Sequence, residues 1–175
     1  MPFTFPIWQE FYDLLYAIRP EAADLLPASS TTVRSWIVSS YETEKSQIVK
    51  SLHSSQSRIH FSLDIWTSPN HLSLLAILAH YTDQSGKLNR ALLGLRELEG
   101  LHTGENQCRT FLEVIGEYGI QRQTGYLMMD NASNNDTFMD HLEAAQVEAG
   151  YRFNAIERRL RYAHSSVFIF FKSFP

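Results

Sequence analysis

The stretch of sequence that decides the fold reads Ile59-His60-Phe61-Ser62-Leu63-Asp64-Ile65-Trp66-Thr67-Ser68-Pro69-Asn70. Apolar side chains at positions 59, 61, 63 and 65 alternate with His60, Ser62, Asp64 and Trp66. A period of two is typical of a β-strand that buries one face. Ser68-Pro69-Asn70 supplies turn residues directly afterwards. The stretch therefore predicts a strand that ends in a tight turn.

Two further strands are predicted downstream. Leu72 to Tyr81 is nearly continuously apolar, as is typical of a central strand. Asp83-Gln84-Ser85-Gly86 predicts a second turn, and Leu88 to Leu98 predicts the third strand. Two tight connections in a row favour an antiparallel meander.

The pattern then changes to a helix and a fourth strand. Thr103 can cap a helix with Glu105 in its first turn, and Gly119 ends it. Its predicted buried stripe comprises Cys108, Phe111, Leu112, Ile115 and Tyr118. The helix is long enough to cross back over the sheet. Tyr126-Leu127-Met128-Met129 is therefore interpreted as a strand parallel to the first, with Asp130 at its C-terminal end.

A last helix follows Asp130, capped by Asn134 or Asn135 and closed by Gly150. Its predicted inward positions are Phe138, Leu142, Ala145 and Ala149. The order βββαβα predicts an α/β fold that opens like an RNase H-like domain. The mixed sheet would combine a three-strand antiparallel meander with a parallel fourth strand and crossover helices, and we expect the domain to be truncated.

Two helices are predicted before the sheet. The first covers Pro6 to Ile18, with Trp8, Phe11, Leu15 and Ile18 at helical spacing before Pro20. The second opens at Ser30 or Thr31, and its apolar stripe comprises Val33, Ile37, Tyr41, Ile48 and Leu52. The predicted domains are an N-terminal helical segment at 1–57, a partial catalytic domain at 58–161 and an atypical apolar tail at 162–175.

Composition limits the classes of function. The chain has 175 residues, of which 44% are hydrophobic, so one sizeable core is expected. Fifteen basic and 19 acidic side chains give a net charge of −4, which shows no electrostatic footprint for nucleic acid. The single cysteine, Cys108, excludes an internal disulfide and a Cys-rich zinc site within this sequence, such as a BED finger. Without a membrane span or a signal peptide, a soluble intracellular protein is expected.

Two aspartates are the candidate catalytic residues. Asp64 lies in a strand with apolar neighbours, where a carboxylate is costly unless it is paired or binds a metal. Asp130 ends a strand predicted to lie beside it, so the two carboxylates could converge on a pair of Mg²⁺ or Mn²⁺ ions. Each aspartate has an ordinary alternative, since Asp64 could bond backbone donors and Asp130-Asn131 could form an Asx turn. Spacing alone favours these structural interpretations.

Four stretches together resemble the hAT family of DNA transposases, particularly its fungal members. They are Ile59 to Asn70, Ala79-His80-Tyr81, His102-Thr103-Gly104-Glu105-Asn106 and Asp130-Asn131-Ala132-Ser133-Asn134-Asn135-Asp136. The resemblance extends from about Ile18 to Arg161. It implies that Asp64 and Asp130 are the first two acids of a DDE triad that binds two Mg²⁺ or Mn²⁺ ions. It also implies transposon-end DNA as the partner, self-association, nuclear localisation and no membrane.

Other residues of the matching stretches could support the site. Trp66 could stack on a base, and His102 resembles a family position before the crossover helix. Asn131, Asn134 and Asn135 could orient Asp130 or contact phosphate. Each has a simpler interpretation, as a rim aromatic, a loop hydrogen bonder or a helix cap.

The tail departs from the family. Where hAT proteins have an Arg-Cys-x-x-His-x-x-Asn stretch, this chain has Arg161-Tyr162-Ala163-His164-Ser165-Ser166-Val167, followed by an apolar run to Phe171. The third acid, a late Glu, is therefore not expected here. The resulting hypothesis is a transposase fragment that is inactive alone. Its alternatives are a non-enzymatic DNA- or protein-binding module and a nuclease completed by Glu97, Glu99, Glu105 or Asp136.

Overall fold

The computed structural model describes residues 8–23, 25–27, 29–98, 100, 103–130 and 134–161. Its helices are α1 (Gln9–Ile18), α2 (Pro20–Ala23), α3 (Ser30–His53), α4 (Gly104–Glu117), α5 (Asn134–Glu148) and α6 (Ala155–Arg158), with a 3₁₀ helix at Gln121–Gln123. Its strands are β1 (Ile59–Thr67), β2 (Ser73–Thr82), β3 (Leu88–Glu97), β4 (Thr124–Met129) and β5 (Arg159–Arg161). The predicted tail at 162–175 lies outside the described residues.

The five strands form one mixed sheet in the order β3-β2-β1-β4-β5. β1, β2 and β3 pair antiparallel, while β4 pairs parallel with β1 and with β5. The predicted meander and the parallel fourth strand are confirmed, with β2 in a central position. The sequence analysis did not predict β5. Its three residues follow α6 directly and are too few for a visible period of two.

The two crossover helices begin and end largely where the sequence predicted. The Thr103 hydroxyl caps α4 by accepting a hydrogen bond from the Asn106 amide at 3.3 Å. Gly119 and Gly150 follow α4 and α5 with φ angles of 66° and 81°, in the left-handed region that favours glycine. The predicted inward face of α5 is partly wrong, because Ala149 is exposed and Ala145 is only half-buried. Asn135, Met139 and Gln146 are buried instead.

The core lies between β1 and the two crossover helices. The Phe61 ring meets the Phe111 ring edge-on at a centroid distance of 5.0 Å, and Phe111 lies 5.7 Å from Phe138. All three side chains are at most 1% exposed. Edge-to-face aromatic packing adds to the free energy of burial. This aromatic row therefore joins β1, which carries Asp64, to α4 and α5.

The parallel pairing of β1 and β4 contains an irregularity. Ile59 pairs with Thr124 and Phe61 with Leu127, so β4 has one more residue than β1 between these pairs. This is a β-bulge at Gly125 and Tyr126. The Tyr126 amide donates to His60 Nδ1 at 3.0 Å, and a Cβ on Gly125 would lie 2.7 Å from that nitrogen. Glycine is therefore required where β4 approaches the His60 ring.

The other face of the sheet is less buried. In the register, Ser62 pairs with Leu78 and Met128, Leu78 pairs with Leu92, and Met128 pairs with Leu160, which places these side chains in one row. Leu92 is 55% exposed and Leu160 is 48% exposed. Asp64 also lies on this face and is exposed. The expectation that apolar neighbours bury its carboxylate is wrong, because the strand's alternation points Asp64 away from the core.

The chain forms two compact units, residues 1–48 and 49–175, so the division falls within α3 and before the boundary predicted at residue 57. In the first unit, α1 is helical as predicted but buries no side chain. Ser29, not Ser30 or Thr31, caps α3, since its hydroxyl accepts from the Thr32 amide at 3.1 Å. Ile37 and Tyr41 of the predicted stripe are 48% and 54% exposed. Of that stripe, Leu52 alone is buried, and it belongs to the second unit.

The turn between β2 and β3 is organised by one carboxylate. Asp83 accepts hydrogen bonds from the Ser85 hydroxyl at 2.6 Å, the Asn89 amide group at 2.6 Å, and the backbone amides of Ser85 and Lys87. The Ser85 and Asn89 side-chain hydrogen bonds lower the pKa of Asp83 to about 2. Hydrogen bonds to the charged form stabilise that form. Asp83 therefore fixes the turn as an anion.

We expect the stabilisation from Asp83 to be complete above its ordinary pKa and to be lost as pH falls through about 2. A depressed pKa in the folded state means that the unfolded chain binds its proton first. Thermal unfolding of the unsubstituted chain and of Asp83→Asn should therefore differ at pH 7 and converge near pH 2. Glu148→Gln removes an exposed carboxylate of α5 and serves as the control. An equal difference at both pH values would contradict this assignment.

No helix in the described part of the chain has the length and apolar character needed to cross a membrane.

Candidate catalytic cleft

A cleft of about 290 Å³ opens where β1 and β4 end and α5 begins. Both candidate acids, Asp64 and Asp130, line it. The remaining lining residues are Leu63, Ile65, Trp66, Thr67, Ser73, Gln107, Met129, Asn134 and Asn135. The C-terminal ends of parallel strands commonly form ligand sites in α/β sheets. The cleft has this position.

The register of β1 and β4 brings Asp64 and Asp130 to the same edge of the sheet, where both line the cleft. Ser62 of β1 pairs with Met128 of β4, and each acid lies two residues further along its chain (62 + 2 = 64 and 128 + 2 = 130). Neighbouring strands are about 4.8 Å apart, and residues that are in register point to the same face. Both carboxylates are exposed to solvent. The fold thus brings together two acids that are 66 positions apart in the sequence.

Asn135 fixes the Asp130 carboxylate. Its side-chain amide donates to Asp130 Oδ1 at 2.5 Å and to the Asp130 backbone carbonyl at 2.9 Å. The Asn135 side chain is 4% exposed, so packing restricts its rotation. The sequence offered Asn135 as a helix cap or as a residue that orients Asp130. The second role is the one that the contacts show.

The N-terminal ends of α4 and α5 meet beside the cleft. A Cβ on Gly104 would lie 2.3 Å from the Asn134 carbonyl oxygen and 2.4 Å from the Phe138 nitrogen. These are backbone atoms, which cannot move without shifting α5. Gly104 therefore permits an approach of the two helices that carries Asn134 and Asn135 to Asp130.

The other predicted site residues have different outcomes. Trp66 lines the cleft and is 41% exposed, and Asn134 lines it from the first residue of α5. His102 and Asn131 lie outside the described residues. The sequence analysis missed Ser73 and Gln107, which line the cleft and are buried. Apart from their places on β2 and α4, nothing in the sequence indicates that Ser73 and Gln107 line a site.

Among the described residues, no group of three or more His, Cys, Asp or Glu side chains is arranged to hold a metal ion. Of the candidate third acids, Asp136 forms ion pairs with Arg159 and Arg161. Glu97 and Glu105 are absent from the cleft lining, and residue 99 is not described. Within the described chain, the cleft therefore offers two acidic ligands.

Cys108 is not a candidate nucleophile. It is 2% exposed on α4, and burial raises the pKa of its thiol to about 12. The thiolate is the reactive form of cysteine. At neutral pH the Cys108 side chain therefore acts as part of the apolar core.

The fold and the cleft agree with the comparison to known families. Residues 62–151, just over half of the chain, match the ZBED1 RNase-like domain, and the chain belongs to this family. The match covers most of the sheet, α4, α5 and both candidate acids. The predicted hAT family relationship and the predicted RNase H-like fold are confirmed.

Known relatives each match a little under half of the chain. A Zea mays protein named as an AC transposase is 32% identical over 73 residues, or 42% of this chain. A Talaromyces stipitatus protein named as the transcriptional regulator tpeD is 34% identical over 79 residues, or 45% of this chain. Each match covers 9% of the relative's length. The chain thus corresponds to a small part of these transposase-related proteins.

Proposed function

We propose that this chain carries part of the catalytic centre of a cut-and-paste DNA transposase, with Asp64 and Asp130 as ligands for Mg²⁺ or Mn²⁺. The observation that carries the proposal is the in-register placement of the two acids in one cleft. The parent reaction would be metal-assisted cleavage of DNA followed by strand transfer. The substrate would be transposon-end DNA, and the site of action would be the nucleus.

The donor set suits a hard divalent cation. Mg²⁺ and Mn²⁺ prefer carboxylate oxygens, and the carboxylates of Asp64 and Asp130 are both exposed to solvent. When bound, such ions activate water and stabilise the leaving oxygen of a phosphodiester. The contribution of the chain is to hold the acids in place. Asp64 is fixed by its strand, and Asp130 is fixed by the Asn135 amide.

We propose that the chain alone is inactive. Two-metal centres for phosphodiester cleavage need enough ligands to hold both ions, and two acids leave their geometry loose. Among the described residues, Asp136, which follows the cleft-lining Asn135, is already paired with two arginines. The third ligand would then have to come from elsewhere in a longer protein.

Metal binding tests the site directly. In a Mn²⁺ titration followed by electron paramagnetic resonance, Asp64→Asn and Asp130→Asn should each weaken binding by about tenfold or more, because each removes one ligand. Asn135→Ala should weaken it by about tenfold, since it releases the Asp130 carboxylate. Asp140→Asn removes an exposed carboxylate of α5 that does not line the cleft and should leave binding unchanged.

Binding that is insensitive to both Asp64→Asn and Asp130→Asn would refute the shared metal site. A nicking assay with supercoiled DNA and Mg²⁺ or Mn²⁺ examines the inactivity proposal separately. We expect no cleavage by the unsubstituted chain. Robust cleavage that Asp64→Asn abolishes would show that two acids from this chain are sufficient.

A second candidate function is a non-enzymatic DNA- or protein-binding module derived from a transposase. The similarity to a Talaromyces stipitatus protein named as a transcriptional regulator favours it, since that name describes regulation and not strand cleavage. In this case the fold is retained without the reaction. DNA binding that persists in Asp64→Asn and Asp130→Asn, together with no Mn²⁺ binding by the unsubstituted chain, would identify the binding module.

A further inference from the structure

One segment of this acidic chain is strongly basic. Residues 151–161 contain four arginines and one acidic residue, Glu157, while the whole chain has a net charge of −4. The arginines are Arg152, Arg158, Arg159 and Arg161. The excess of positive charge expected of a nucleic-acid-binding surface is therefore absent from the overall composition but present locally, on α6, β5 and the residues before them.

This basic segment lies beside the candidate catalytic cleft. β5 pairs with β4, and Arg161 is the Cα partner of Met129. Met129 lines the cleft and precedes Asp130. Since neighbouring strands are about 4.8 Å apart, the backbone of Arg161 is one strand away from the strand end that carries Asp130.

Arg159 and Arg161 already hold one oxyanion between them. Both guanidinium groups donate to Asp136 Oδ1, Arg161 through Nη2 at 3.2 Å. The side chains of Arg161 and Asp136 are 62% and 63% exposed, whereas that of Arg159 is 7% exposed. The carboxylate and the outer arginine are thus open to solvent, and the inner arginine is fixed by packing.

In this cluster the arginines outnumber the carboxylate that they contact, and the Asp130 carboxylate is also near enough to interact with Arg159. Two guanidinium groups share one carboxylate, and the buried Arg159 Nε has no hydrogen-bond partner. Burial and the neighbouring Arg161 lower the pKa of Arg159, while Asp130 opposes this shift. The cluster also lies at the first turn of α5, where the helix dipole favours negative charge. A second anion would therefore be stabilised here.

We propose that Arg161, supported by Arg159, binds a backbone phosphate of the DNA strand in the Asp64–Asp130 cleft, and that Asp136 holds the two arginines in position. Guanidinium groups bind phosphate oxygens in the same fork geometry that they use for carboxylates. This site rests on the proposed function, because the DNA in the cleft is part of that proposal. With this contact, the path of the bound DNA strand would run from the acids of β1 and β4 towards β5.

The test is a DNA-binding titration without divalent metal. Fluorescence anisotropy of a labelled duplex and of a labelled single strand, in EDTA, compares the unsubstituted chain with Arg161→Ala. We expect affinity to fall about tenfold and the slope of log affinity against log salt to decrease by about one. Arg109→Ala is the matched control, since Arg109 is an exposed arginine of α4 in an ion pair with Glu113. It should change affinity less than twofold.

Asp136→Asn provides an opposite change at the same site. It removes the competing carboxylate charge, while the asparagine side-chain oxygen can still accept from the two guanidinium groups and hold them in position, so DNA affinity should increase. Equal losses for Arg161→Ala and Arg109→Ala would overturn the proposal, because they would show only a general effect of charge. DNA binding too weak to detect would also overturn it.

The metal-free conditions separate this site from the metal site. If Asp64 and Asp130 bind no Mn²⁺, the Arg161-dependent affinity in EDTA is unaffected. If Mn²⁺ binds as proposed but Arg161→Ala has the same DNA affinity as the control Arg109→Ala, only the phosphate site is refuted.

Discussion

Replacing Phe111 by alanine should lower the free energy of unfolding by about 3–5 kcal/mol. The ring is fully buried and makes edge contacts with both Phe61 and Phe138, so truncation would leave a cavity among β1, α4 and α5. Of the substitutions considered, this one should have the largest effect on stability. Chemical denaturation followed by circular dichroism measures it.

Two further substitutions test whether the loss of stability comes from removing the buried ring. Phe111→Leu keeps most of the volume and should cost clearly less than Phe111→Ala. Leu95→Ala on the more open face of the sheet, where Leu95 is 50% exposed, should cost well under half as much. If Phe111→Ala cost less than about 1 kcal/mol, the aromatic row would not be the core of this domain.

The substitution Gly104→Ala should destabilise the protein by about 1–3 kcal/mol. In the interior of an exposed helix the same change is stabilising by up to about 1 kcal/mol, because alanine has the higher helix propensity. Here the added methyl would overlap the Asn134 oxygen and the Phe138 nitrogen of α5. The two helices would have to separate, which would also move Asn135 away from Asp130.

Gly116→Ala on the same helix is the matched control. Its Cβ would meet only the Gln121 side-chain amide, at 3.1 Å, and that flexible group can move. We expect Gly116→Ala to be neutral or slightly stabilising. Gly104→Ala should, in addition, weaken Mn²⁺ binding, whereas Gly116→Ala should not. Equal stability of the two variants would contradict the close contact between α4 and α5.

The sequence predicted the sheet well because alternation and turn chemistry are local signals. The strand from Ile59, the Asp83 turn and the Thr103 cap all depend on residues within a few positions of each other. Helix faces were predicted less reliably. The apolar spacing in α5 suggested Ala149, but small side chains at a helix end contribute little burial, and the polar Asn135 and Gln146 are buried instead.

The candidate site was predictable only in part. The sequence identified Asp64 and Asp130, but their shared cleft depends on the register of two strands that are far apart in the chain. The arginine pair on Asp136 joins residues 23 and 25 positions apart, whereas Asn135 lies only five positions after Asp130. Local patterns in a single sequence do not show which residues of distant strands and helices come into contact. These contacts required the folded chain.

The bulge in β4 has a consequence for how this domain can change during evolution. Gly125 and Tyr126 add one residue to β4, and positions beyond the bulge pair so that Asp130 is level with Asp64. Deletion of Tyr126 would leave Gly125 alone opposite His60 and keep Leu127 opposite Phe61, so Asp130 would stay at the same level relative to β1. Between Thr124 and Leu127, β4 should therefore tolerate the loss of the extra residue, whereas Gly125 should accept few substitutions.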